Sequence, residues 1–127
     1  MKLYLGGGRN TQEIPEMKEL ITAILKKENV QNLLHIPFAG AGIRHRTSER
    51  CMPRNFQPFI ENLWGGGINY FDGSYKEDIV AAPYEAIYLN GGKYRDFLWQ
   101  NIQKDEVLEK VTKTPLIIGE SSGSTIF

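Results

Sequence analysis

Five short apolar runs alternate with segments whose apolar residues recur at three- and four-residue steps, and this switching between two periods constrains the fold more than any other feature of the chain. A short apolar run bounded by turn residues suits a strand buried on both faces, whereas the longer recurrence puts one stripe of a helix against a core. Alternated along one chain, the two patterns make βαβ units and a parallel sheet. The runs predict strands over Lys2 to Leu5, Leu33 to Phe38, Ile68 to Phe71, Ala86 to Leu89 and Leu116 to Ile118, closed in turn by glycine, Ala-Gly, Asp-Gly, Asn-Gly-Gly and glycine.

Between the first two runs, Ile14, Met17, Leu20, Ile21, Ile24 and Leu25 fall on one helical stripe. Pro15 suits the first turn of that helix, where its missing N–H has no helical partner to lose. Phe56, Phe59, Ile60, Leu63 and Trp64 form a second stripe, stopped by Gly65-Gly66-Gly67. A third helix follows Gly91-Gly92 with Phe97, Leu98 and Ile102 inward, and Val107, Leu108 and Val111 mark a short fourth before Pro115. Right-handed crossovers then give an α/β three-layer sandwich on a mainly parallel five-stranded sheet. Ligands of such sheets gather at the carboxyl ends of the strands. That edge carries Gly6-Gly7-Gly8, Ala39-Gly40-Ala41-Gly42, Asp72-Gly73, Asn90-Gly91-Gly92 and a serine turn at Ser121.

The 127 residues make one domain's length, with 41% hydrophobic and 24% charged residues and no internal repeat or linker. A chain of this size removes roughly two thirds of its unfolded surface from water, so packing alone can hold it. Lysine plus arginine equals aspartate plus glutamate at 15 each, which leaves no basic field for nucleic acid or an anionic membrane. Cys51 has no internal disulfide partner, and one cysteine with two histidines falls short of a zinc set. Neither nucleotide-binding glycine pattern follows Gly6-Gly7-Gly8, so no cofactor is expected. The start M-K-L-Y-L-G-G-G lacks the apolar core of a signal peptide, and nothing approaches the ~20 apolar residues that span a bilayer. The expectation is a cytoplasmic protein.

Gly119-Glu120-Ser121-Ser122-Gly123 matches G-x-S-x-G directly after a predicted strand, the context in which a serine sits on a sharp strand-to-helix turn. There Ser121 is a candidate nucleophile, and the backbone N–H of Ser122 points where an oxyanion forms. The second donor has to come from another loop on the same edge, and Asn90-Gly91-Gly92 is the candidate, because glycines let backbone approach a ligand closely. Two plainer readings stay open: a polar terminal tail for the serines and a simple strand-to-helix turn for the glycines.

Taken in order, M-K-L-Y-L-G-G-G, H-I-P-F-A-G, N-Y-F-D-G, A-I-Y-L-N-G-G-K-Y-R-D-F-L and P-L-I-I-G-E-S-S-G-S resemble the peptidase E (aspartyl dipeptidase) and cyanophycinase family of serine peptidases. The resemblance runs along residues 1–127 as a single, partial domain matching the amino-terminal half of the family's. It implies a flavodoxin-like, class I glutamine amidotransferase-like fold, truncated just after the elbow, and a short peptide such as an aspartyl dipeptide as substrate. It also implies Ser121 as nucleophile, with the Ser122 and Gly92 N–H groups as oxyanion donors. Ser122 stands where the family has alanine, and Lys93-Tyr94 where it has Asn-Thr. The family's catalytic histidine and its acidic partner lie beyond the matched half.

A serine hydroxyl needs a base within hydrogen-bond reach, and the chain offers only His35 and His45. His35, inside a predicted strand, reads as a packed core residue. His45 falls in Arg44-His45-Arg46, where two cations favour its neutral, basic form; solvated surface is the other reading. Glu49, Asp72 and Asp78 are acidic candidates to orient an imidazole. Arg44, Arg46, Arg50 and Arg54 read either as a carboxylate grip or as a solvated loop balanced by Glu49. The chain's length is compatible with a fragment, a split product that pairs with a complementary carboxy-terminal fragment, or a shortened pseudoenzyme serving as an assembly or binding domain. Apolar sheet left bare by a missing helix would favour such pairing or a homo-oligomer.

Overall fold

The structure, a computed structural model, describes residues 2–6, 15–36, 38–41, 68–73, 76–81, 83–92 and 95–123. In chain order these form β1 (Lys2–Gly6), α1 (Pro15–Lys27), β2 (Asn32–Ile36), a helical turn α2 (Phe38–Ala41), β3 (Asn69–Asp72), α3 (Lys76–Ala81), β4 (Ala86–Leu89), α4 (Arg95–Ile102), α5 (Asp105–Lys113), β5 (Leu116–Glu120) and a 3-10 turn, Ser121–Gly123. The five strands make one sheet in the order β1-β5-β4-β2-β3, with every pairing parallel. The protein is thus α/β, as its alternating periods predict.

The strand order fixes which face each helix covers. The chain advances from β1 to β2 and on to β3, then reverses through β4 to β5. Right-handed crossovers in opposite directions lay their helices on opposite faces. Accordingly, Ile21, Ile24 and Leu25 of α1 pack on Leu33, Ala86, Tyr88, Leu116 and Ile118. On the other face Ile79 of α3, Phe97 and Leu98 of α4, and Val107 and Val111 of α5 pack on Leu34, Ile87 and Ile117. Each such leucine or isoleucine, fully withdrawn from water, contributes about 1.5–3 kcal/mol against the entropy of ordering the chain. The α1 end is set by Asn29, whose φ of 53° turns the chain out of the helix. Its N–H donates to the Lys26 carbonyl and that of Val30 to the Leu25 carbonyl, the paired bonds of a Schellman cap.

Several boundaries differ from the sequence expectation. β4 occupies Ala86–Leu89 as expected, but β5 runs on past Ile118, because Gly119 and Glu120 stay in register with Leu5 and Gly6. β2 stops at Ile36, and Phe38 enters α2 instead, its ring edge-on to Phe97 at 5.6 Å. Proline at position 37 has no N–H to extend a ladder. β3 begins and ends one residue later than expected. Leu20 is 52% exposed, so the inward stripe of α1 narrows to Ile21, Ile24 and Leu25. The short α3 was not expected: with Ile79 its buried residue, six residues carry no readable period. Ile14, the Met17 side chain and the expected helix over Phe56 to Trp64 lie outside the described residues. Among the described residues no helix is long and apolar enough to cross a membrane.

Candidate functional site

Where consecutive connections leave a sheet in opposite directions, the carboxyl ends of the strands open a crevice. Here the reversal falls between β2, which feeds β3, and its neighbour β4, which feeds β5. Beside it, β4 and β5 run with Leu89 level with Gly119. The segments that leave them, Asn90-Gly91-Gly92 and Ser121–Gly123, therefore emerge next to each other on one rim, with strand axes ~4.8 Å apart.

Ser121 has φ 49°. A residue with a Cβ pays about 1–2 kcal/mol to sit in this left-handed region, and the penalty is incurred at the step from strand to turn. Gly123 shows what holds the turn there. A Cβ added to it would run into the Leu89 carbonyl oxygen and stand 2.8 Å from its carbon, so the turn lies flat on the end of β4 with no room for a side chain. Helix α4, which follows the glycine loop, also touches the turn.

Beneath this rim three polar residues are buried: His35 and Asn90 at 0% exposure and Glu120 at 2%. His35 Nε2 lies 2.7 Å from Asn90 Oδ1, and its Nδ1 lies 3.3 Å from the Tyr70 hydroxyl. The Tyr88 ring packs on the imidazole at 5.2 Å, and the Tyr88 hydroxyl donates to Glu120 Oε2 at 2.5 Å. The Asn90 Nδ2 donates to the Gly91 carbonyl at 2.7 Å. Burial pushes the His35 pKa from 6.5 down to about 3, against a smaller upward pull from Asn90. The imidazole is neutral throughout the physiological range. Gly73 seals its backbone: the glycine N–H donates to the His35 carbonyl at 2.8 Å, and a Cβ there would meet that same oxygen.

The candidates read from sequence divide accordingly. Ser121, Ser122 and Gly92 share the rim. His35 lies under it, with both ring nitrogens near polar partners. Asp72 ends β3, level with His35 in the ladder, and Asp78 is exposed on α3. His45, Glu49, Arg44, Arg46, Arg50 and Arg54 lie outside the described residues, as do Lys93 and Tyr94. Sequence reasoning passed over Glu120, Tyr70, Tyr88 and the Asn90 side chain. One signal was available: residues 35, 88 and 120 are polar positions that alternate with apolar ones near the carboxyl ends of three runs.

A pocket of about 110 Å³ opens beside β5, between Leu20, Ile21 and Ile24 of α1 and Ile118, Gly119 and Glu120. Tyr4, Leu5 and Gly6 of β1 complete its mostly apolar lining. Among the described residues no group of three or more histidine, cysteine, aspartate or glutamate side chains is placed to hold a metal ion. Comparison with known proteins finds no matching protein-family model and no matching curated protein.

Proposed function

We propose that the chain carries the nucleophile and oxyanion donors of a serine peptidase of the peptidase E type, acting on short peptides such as aspartyl dipeptides. The observation that carries this reading is the left-handed Ser121 directly after β5, pressed on the end of β4 through Gly123. That is the strained strand-to-turn step which an elbow imposes on its nucleophile. The ordered motifs from M-K-L-Y-L-G-G-G to I-I-G-E-S-S-G-S lend further support.

In this mechanism the Ser121 Oγ bonds to the substrate carbonyl carbon and gives its proton to a base. The carbonyl oxygen becomes an oxyanion, held by the Gly92 and Ser122 N–H groups. The C–N bond then breaks, the amine leaves with the proton, and water hydrolyses the acyl-enzyme to restore the serine. The base is His45 or a group outside these 127 residues, since burial strips His35 of basicity and both its ring nitrogens face Tyr70 and Asn90. The locked state of His35 also favours a second reading, a non-catalytic binding or assembly domain on the same scaffold.

A fluorophosphonate separates the two. The peptidase reading expects a single phosphonyl adduct by intact mass, abolished by Ser121→Ala. A chain that takes up no adduct, or whose adduct survives that substitution, is not a serine hydrolase of this kind.

A further inference from the structure

We propose that His35 is a positioning residue: through Asn90 it holds the Gly91–Gly92 peptide with its N–H turned to the rim. The catalytic consequence rests on the peptidase reading, whereas the positioning itself does not. The carbonyl of Gly91 can only accept a hydrogen bond. It accepts from Asn90 Nδ2 at 2.7 Å, so the Asn90 amide must present Oδ1 to His35, 2.7 Å away. An acceptor facing Nε2 requires that Nε2 carry the proton, which leaves Nδ1 of the neutral ring to accept from the Tyr70 hydroxyl at 3.3 Å. Hydrogen bonds thus run in one direction from β3 to the loop: Tyr70 to His35, His35 to Asn90, Asn90 to Gly91.

The direction of that relay determines where the next amide points. In a planar trans peptide the C=O and the following N–H face opposite ways. The Gly91 carbonyl is drawn back to Asn90, which is fully buried, so the Gly92 N–H of the same peptide unit is directed away from the interior. A Gly-Gly peptide has no side chain to resist a flip. Its orientation must be imposed from outside, and the side chain of Asn90, itself pinned by the imidazole, imposes it. The Tyr88 ring, tilted against the imidazole at 5.2 Å, keeps it from turning.

Three variants test this. His35→Phe keeps a flat ring of similar size without a donor; His35→Gln restores a nitrogen donor near the position of Nε2; Asn90→Ala removes the intermediary. The rate of Ser121 phosphonylation should fall on the order of 10²-fold in His35→Phe, approaching the loss of one oxyanion donor, and recover largely in His35→Gln. Because His35 acts through Asn90, adding His35→Phe to Asn90→Ala should cost nothing further. Labelling of His35→Phe at the wild-type rate, or fully additive losses in the double variant, overturns the proposal.

NMR supplies the arm that does not depend on chemistry. The Asn90 side-chain amide protons should exchange slowly in the wild-type chain and lose that protection in His35→Phe, where the Asn90 and Gly92 resonances should also shift. Unchanged Asn90 and Gly92 resonances in that variant reject the positioning role even if labelling falls. If the wild-type chain takes no label while these resonances respond as expected, the peptidase reading fails and the positioning stands. Should His35→Phe not fold, the comparison of Asn90→Ala with His35→Gln carries the same decision.

Discussion

Lowering the pH from 7 to 5 should cost this protein about 2 kcal/mol of folding stability through His35 alone. The folded pKa is about 3 and the ordinary value of histidine 6.5, so between these limits the unfolded chain binds a proton that the folded chain refuses. Stability rises with pH wherever the unfolded state holds more protons. The contribution is therefore complete above pH 6.5 and is lost as pH falls towards 3. At pH 5 the unfolded imidazole is about thirtyfold more protonated than neutral, which at RT of about 0.6 kcal/mol gives the 2 kcal/mol; the full gap of 3.5 units sets a ceiling of about 5 kcal/mol. Among the described residues, the groups facing the ring include Tyr70 from β3, Tyr88 from β4 and Asn90 just after it, with Glu120 of β5 behind the Tyr88 hydroxyl. A negative charge on Glu120 would reduce the loss. Urea unfolding followed by tryptophan fluorescence at several pH values, wild type against His35→Phe, cancels the other titrating groups. The wild type should lose about 2 kcal/mol more than the variant between pH 7 and 5. Parallel curves would refute a buried neutral imidazole.

Gly123→Ala should destabilise by about 1–3 kcal/mol, since its Cβ meets backbone that cannot rotate away; a melting temperature unchanged within error would mean that the turn does not lie on β4. At position 121 the usual order of alanine over glycine should invert, with Ser121→Gly more stable than Ser121→Ala by about 1 kcal/mol, because only the alanine retains the left-handed strain. Differential scanning calorimetry of the pair decides it. Tyr88→Phe, which strips a donor from a buried carboxylate, should cost about 1–3 kcal/mol by chemical denaturation. Leu98→Ala should cost about 2–5 kcal/mol by the same measurement, as its side chain is fully buried between α4 and the sheet.

What sequence could reveal was whatever depends on neighbours along the chain. Ala86–Leu89 is a strand because four apolar residues run into Asn-Gly-Gly, and α4 and α5 show their inward residues at helical spacing. Where a segment is too short for periodicity, as in α3, or where a ladder decides how far a strand continues, as at Glu120, local pattern is silent. The polar cluster was hidden for a stronger reason. His35 and Asn90 stand 55 residues apart, and only the reversal that sets β4 against β2 brings them together. Polar residues at the ends of different strands cannot be paired before the order β1-β5-β4-β2-β3 is known.

The same order explains why His35, beneath the candidate nucleophile's rim, is unsuited to serve it. A general base needs proton affinity near the working pH and a lone pair facing the hydroxyl. His35 has a pKa of about 3; its Nε2 proton is committed to Asn90, and Nδ1 faces Tyr70. Burial under the loop strips it of basicity, and burial under the loop is what fits it to hold Asn90. One location therefore excludes the reactive role and supports the architectural one. On the peptidase reading we propose, proton transfer from Ser121 would fall to a group outside the described residues, while the described interior would orient the Gly91–Gly92 peptide beside it.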